Sequence, residues 1–454
     1  MKKIYFAVFS MLLSIQMYAQ ESDSTIIRNI YTEILYNGKC YEWLHDLCKD
    51  VGHRLSGSPQ ADMAVRWAKE TLDDEGFDKV WLQEVMVPRW VRGQKEYAEI
   101  IGVGQVEVLA LGNSIATPED GIQAQVIEVH NFDELQKIGA EKIKGKIVFF
   151  NHYWEHEYIN TFESYSPCVE YRWKGPSEAA KYGAVAVVVR SVSSAMDEFP
   201  HTGSMRYLDE NKKIPAVAIS TLDAELLSAT LAEFPKTEFK LLTWCKFLPD
   251  VKSYNVIAEI TGSEFPNEVI TVGGHLDSWD VGEGAHDDGA GCVQSMEVLR
   301  TIKALNIKPK RTIRCVLFMN EENGNRGGHA YADWAKTTNE KHIAAMESDA
   351  GGYSPRGFTI EDDSDAIVQI FTDLKPLFLP YGVYYIQRGY GGTDIGPLKE
   401  LGTTLIGLVP DSQRYMDIHH TANDTFDKVN KRELSLGAAT MTSVVWWISE
   451  NGIE

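Results

Sequence analysis

Residues 275–291, His275-Leu-Asp-Ser-Trp-Asp-Val-Gly-Glu-Gly-Ala-His-Asp-Asp-Gly-Ala-Gly291, join two apolar segments of different period. Before them, Val269-Ile-Thr-Val272 is a short apolar run that predicts a strand. After them, Gly291 to Leu305 carries Val293, Met296, Leu299 and Ile302 at helical spacing. A strand passing into a helix is the unit of an α/β sheet, and such sheets gather ligands beyond the carboxyl ends of their strands. This join places histidines, carboxylates and glycines at one such end.

Working outward, the pattern recurs. Val256 to Ile260, Thr312 to Met319, Ile343 to Met346 and Thr404 to Val409 read as further strands, and Glu433 to Ser449 as a closing amphipathic helix. Acid or histidine clusters follow three of them: Asn320-Glu-Glu-Asn323, Glu347-Ser-Asp349 and His419-His-Thr-Ala-Asn-Asp-Thr425. The expected fold is α/β, a mixed, mostly parallel sheet with helices on both faces.

Upstream, Tyr41 to Cys48 and Ala61 to Leu72 read as helices and Trp81 to Val87 as a strand. Between residues 97 and 248 the texture changes to short β-like runs with Gly and Pro punctuation, such as Gln123 to Val129, Lys146 to Phe150 and Ala184 to Arg190. None of the clusters lies there. The expected organisation is therefore a principal domain in two pieces, 21–96 and 249–454, interrupted by a smaller α/β domain at 97–248.

The first twenty residues predict a signal peptide: Lys2 and Lys3, the apolar run Ile4 to Ile15, then Tyr18-Ala-Gln20 before Glu21. That run is too short to cross a bilayer comfortably, so an exported protein without an integral membrane segment is expected. Lys and Arg number 44 against 65 Asp and Glu, a net charge of −21 that opposes binding to nucleic acid. Six cysteines are too few for a disulfide scaffold. Cys40 and Cys48, on one helix, would stand about 12 Å apart along its axis and could not bond each other.

The clusters supply the ligands for two divalent cations. Zinc takes imidazole nitrogen and carboxylate oxygen, and a close pair of dications needs a carboxylate between them to offset their repulsion. His275, Asp349 and one oxygen of Asp287 are expected at the first metal. Glu322, the other oxygen of Asp287 and a histidine of the His419-His420 pair are expected at the second. Glu321 is left over beside a ligand as a general base, and Asp277 is expected to accept the second N–H of His275. His286 is an alternative to its neighbour Asp287, disfavoured because a bridge needs a carboxylate. Asp288 is expected to shape the turn, and Gly289 and Gly291 to let it approach the metals.

Seven motifs in order carry a family resemblance: Arg54-Leu-Ser-Gly-Ser58, Gly273-Gly-His-Leu-Asp-Ser-Trp-Asp280, Asp287-Asp-Gly-Ala-Gly291, Asn320-Glu-Glu322, Glu347-Ser-Asp-Ala-Gly351, Gly392-Thr-Asp394 and His420-Thr-x-x-Asp-Thr425. The chain resembles the co-catalytic zinc exopeptidases that include bacterial leucyl aminopeptidases and plasma glutamate carboxypeptidase (carboxypeptidase Q), most closely the latter branch. The resemblance implies two zinc ions per chain, His420 rather than His419 as the ligand, and Tyr390, four residues before Asp394, as an oxyanion partner. It also implies that 97–248 is a protease-associated domain, that short peptides or dipeptides are the substrate, and that the chain forms a homodimer. Two rival readings share the scaffold: a zinc glutaminyl cyclase or deacylase, and a non-catalytic peptide-binding protein.

Overall fold

The computed structural model describes residues 22–208 and 212–453, and the expected signal peptide lies outside the described residues. Sixteen strands among them form two eight-stranded sheets. In chain order these are β1 (Lys79–Val91), β2 (Tyr97–Ile100), β3 (Gly104–Val106), β4 (Val108–Ala110), β5 (Ile122–Val129), β6 (Ile147–Phe150), β7 (Ala186–Arg190) and β8 (Ala216–Ile219). There follow β9 (Glu238–Leu242), β10 (Lys246–Ile260), β11 (Phe265–His275), β12 (Arg311–Phe318), β13 (Lys341–Glu347), β14 (Pro355–Glu361), β15 (Tyr385–Arg388) and β16 (Thr404–Pro410).

The principal sheet runs β1-β10-β12-β11-β13-β16-β14-β15. Its pairs β12–β11, β11–β13, β13–β16 and β14–β15 are parallel, and β1–β10, β10–β12 and β14–β16 antiparallel. The mixed, mostly parallel sheet expected from the strand–helix alternation is the one observed. Side chains leave a strand on alternate faces, so each central strand feeds two cores. Ala258, Cys315, Leu317 and Met346 pack under the helices Asp23–Asn37, Ala290–Ala304 and Lys431–Asn451. Their neighbours Ile257, Val316, Phe318 and Ala345 pack on the other face against Tyr331 and Ala332 of the helix Arg326–Ala335. Burying both faces is why these strands read as continuous apolar runs.

The second sheet, β3-β2-β9-β5-β6-β7-β8-β4, lies between residues 97 and 242. It too has a core on each face, one around Phe149, Val188 and Val217 and one around Val148, Phe150 and Val187. Both connections to the principal sheet run through one antiparallel pair, in which Val91 faces Lys246. Residues 246–248 therefore already belong to the principal sheet. Leu55, Trp90 and Trp279, from outside the second sheet, insert into its first core. The Trp279 ring lies so close to Gly112 that a Cβ there would stand 1.8 Å from it, so glycine is required. All six cysteines are free and buried.

Candidate metal centre

β11 ends at His275, which is 1% exposed, and the chain turns back through residues 276–289 before the helix Ala290–Ala304. Arg54 holds that turn from below. Its buried guanidinium donates to the carbonyls of Leu276 (2.6 Å), Glu283 (2.8 Å) and Gly284 (2.9 Å). Asp288 ties the two ends together: Oδ2 accepts from the His275 amide at 3.0 Å and Oδ1 from the Gly291 amide at 2.8 Å. The Asp287–Asp288 peptide is cis. Asp424 fixes the turn from the far side, accepting from the amides of His286 (2.8 Å) and Asp287 (3.1 Å). Gly291 permits the close approach, because a Cβ would lie 1.8 Å from the Ser348 carbonyl.

The turn presents the two oxygens of Asp287 to two different groups. Oδ1 is 3.3 Å from His275 Nε2, which is itself 3.4 Å from Asp349 Oδ1. Oδ2 is 3.0 Å from His420 Nε2, which is 3.2 Å from Glu322 Oε2. The residues expected at the two metals thus converge, although they come from the ends of β11, β12 and β13 and the loop after β16. His419 stacks on His420 with ring centroids 3.6 Å apart, and its Nε2 stands farther from Asp287 Oδ2, at 3.6 Å. His286 faces away: its Nδ1 accepts the Gly352 amide at 3.0 Å and its ring stacks on Tyr353. Burial pulls His286 down to about 4 and keeps it neutral.

Asp277 occupies a different role from the expected one. His275 Nδ1 donates to the backbone carbonyl of Asp277 at 2.9 Å, while the nearer carboxylate oxygen is 4.0 Å away. That oxygen instead accepts the amides of Asn320 (2.6 Å) and Glu321 (3.1 Å). A carboxylate two residues beyond a ring sits beside the peptide that reaches the ring first, so the carbonyl takes the proton and the side chain holds the Glu321 turn. Tyr390 is 66% exposed on the rim, its hydroxyl 3.0 Å from Thr393 Oγ1. Glu347, to which sequence reasoning gave no role, accepts the amides of Thr393 (2.8 Å) and Ile395 (3.0 Å) and so carries that loop.

Charge in the centre is one-sided. Burial, then the charge of Asp287, pushes Glu322 up to about 7. Burial, then Asp349, pushes Glu347 up to about 8, and burial raises Asp424 to about 7. Burial works against a charged His420, but Glu322 and Asp287 outweigh it and raise the ring to about 10. Burial outweighs the pull of His420 on Glu322 and of Arg54 on Asp424. Asp287 Oδ2, though buried, accepts no well-formed hydrogen bond. Two histidine–carboxylate groups sharing one carboxylate fit two cations: His275, Asp287 and Asp349 offer ligand atoms within 4.8 Å of one another, as do Asp287, His419 and His420.

The centre lies on the floor of a cleft of about 1400 Å³. Its walls include Tyr390 and, from the second sheet unit, Tyr165, Arg172, Trp173 and Arg206. An α/β sheet with paired histidine–carboxylate groups beyond its strand ends, open to such a cleft, is the construction of a metal-dependent hydrolase. Residues 255–445 match the family model described as Peptidase family M28. Carboxypeptidase Q of Homo sapiens is 38% identical over 415 residues, 91% of this chain and 85% of that one. The crystal structure of a Peptidase M28 precursor from Shewanella amazonensis superposes with a TM-score of 0.90 at 35% identity, over 94% of this chain and 96% of that one. The zinc aminopeptidase of Bacillus subtilis shares the fold, with a TM-score of 0.65 at 20% identity over 90% of this chain and 94% of that one. The chain belongs to peptidase family M28, and with its donor set it is a metallopeptidase.

Proposed function

We propose that the chain is an exported di-zinc exopeptidase that hydrolyses short peptides or dipeptides. The observation that carries this reading is the division of Asp287, one oxygen turned to His275 and Asp349 and the other to His420 and Glu322. When bound, zinc supplies Lewis acidity to the scissile carbonyl and brings the pKa of water to about 7. Glu321 is the general base. Its amide is pinned by Asp277, and its carboxylate makes no hydrogen bond with any described residue, which leaves it free to take a proton from water and return it to the leaving nitrogen. Tyr390, on the rim with its hydroxyl on Thr393, is the group that swings toward the oxyanion.

In this reading residues 97–248 are a protease-associated domain that walls the cleft, residues 1–20 are removed on export, and the chain works as a homodimer. Among the described residues no helix is long and apolar enough to cross a membrane. The test joins elemental analysis with a substrate panel of free dipeptides, N-blocked peptides and N-terminal glutamine peptides. Two zinc ions per chain and chelator-sensitive cleavage of free dipeptides are expected. Cyclisation of the glutamine peptides, or tight peptide binding without turnover at full zinc occupancy, would overturn the reading.

A further inference from the structure

Three groups from the second sheet unit meet at the back of His420. His420 Nδ1 is 3.2 Å from the carbonyl oxygen of Thr202, and the Thr202 amide donates to the His420 carbonyl at 3.0 Å. Arg172 donates through one terminal nitrogen to that same Thr202 carbonyl at 3.1 Å and through the other to the Tyr165 hydroxyl at 2.7 Å. The Thr202 hydroxyl is anchored on the carbonyl of Ala110 at 2.8 Å. His420 has a left-handed backbone, φ 63°, where the chain meets this group.

The neighbours of Nδ1 compete for its proton. Arg172 lies 3.5 Å away and can only donate, whereas the Thr202 oxygen is nearer and can only accept. A carbonyl oxygen has two lone pairs, and here one takes the Arg172 N–H and the other the His420 Nδ1–H. That tautomer leaves the Nε2 lone pair facing Asp287 and Glu322, as a metal ligand requires. His275 is held in the same way, but by a carbonyl of its own loop, that of Asp277. Packing alone does not account for Arg172. It is 5% exposed, forms no ion pair with any described carboxylate, and its Nε has no acceptor. A guanidinium buried without a counter-charge is destabilising. Gly203 leaves room for it, since a Cβ there would lie 2.3 Å from the guanidinium carbon.

We propose that the second sheet unit completes the metal centre: the Thr202 carbonyl, clamped by Arg172, sets the tautomer and ring direction of His420 and thereby the affinity of one cation. This rests on the two-cation reading above. Arg172 and Thr202 are positioning residues, and the second unit is part of the site as well as its wall.

The test is zinc titration against a competing chelator, with the melting temperature followed alongside. In Arg172→Met one of the two zinc equivalents should weaken by about 10- to 100-fold and the other stay as in the wild type. Arg172→Lys, which keeps a donor to Thr202, should recover part of the loss. Two wild-type affinities in Arg172→Met overturn the proposal, and so do two equivalents weakened alike with a lowered melting temperature. Should that variant not fold, wild-type protein labelled with ¹⁵N-histidine decides. Zinc should leave two rings protonated at Nδ1 and shifted at Nε2, and a single such ring refutes the proposal. Wild-type protein that binds no zinc refutes the two-cation reading itself, whereas two tight sites in every variant refute this inference alone.

Discussion

Glu321→Gln separates chemistry from architecture. The side chain is replaced by a near-isostere, and no described residue donates a hydrogen bond to the carboxylate that the amide would strand. The Asp277 contact that pins this position goes to the backbone amide and survives the change. Stability should therefore shift by no more than about 0.5 kcal/mol, as for a substitution that touches no buried partner. Zinc content should stay at two per chain, because Glu321 is the acid that the metal groups leave out. Turnover has no such insulation. Removing a positioned general base costs about 10²- to 10⁴-fold, equivalent to about 3–5 kcal/mol of barrier. The loss should fall on kcat with KM little changed, since the group acts mainly in the transition state. Steady-state hydrolysis of a free dipeptide, with zinc content and melting temperature on the same preparation, is the assay. A kcat within tenfold of wild type at full zinc occupancy would refute the assignment of the base.

Gly291→Ala should lower stability by about 3 kcal/mol and disturb zinc binding together, because its Cβ meets the Ser348 carbonyl one residue before Asp349; urea midpoints and zinc stoichiometry check both. Leu299→Ala, in a fully buried position between helix and sheet, should cost about 3 kcal/mol while leaving zinc affinity unchanged. His342, buried with Nε2 3.0 Å from the Tyr331 hydroxyl, is pulled down by burial from 6.5 to about 4. Its folded pKa lies below the unfolded one, so its contribution is whole above pH 6.5 and lost as pH falls toward 4. The total is about 3 kcal/mol. His342→Gln should flatten denaturation midpoints across that window, and an unchanged slope would refute the role.

The parts of the fold that show in the sequence are those where burial imposes a simple period. Val269–Val272 and the helix from residue 290 appear because a strand covered on both faces is apolar throughout and a packed helix repeats at 3.6. β14 and β15 do not stand out. β15 is the edge strand, and in Tyr385–Arg388 only Ile386 is buried, so no alternation survives. β14, paired on both sides and mostly buried, opens on Pro355-Arg-Gly357, whose proline and glycine read as a turn. The first third of β10, Lys246–Asp250, is exposed, and no alternation survives there either. Among the site residues, His275, Glu321, Glu322 and Asp349 fall at or just after the end of an apolar run, and that signal is local. The distinction between His419 and His420, and the exchange of the Asp277 carboxylate for its carbonyl, depend on where loops meet in space. Thr202 and Arg172 carry no local signal, because their partner is over 200 residues away in the chain.

The rung at which Val91 faces Lys246 has a consequence for how such a chain changes over time. Departure and return occupy neighbouring positions on one ladder, so the ends of the excursion stay together whatever its length. Lengthening a loop whose ends are already joined adds only about 0.6 kcal/mol per doubling. Material can be gained, trimmed or exchanged beyond that rung without moving a principal strand. The freedom stops at the short segment around residue 202, where the excursion touches the ring of His420.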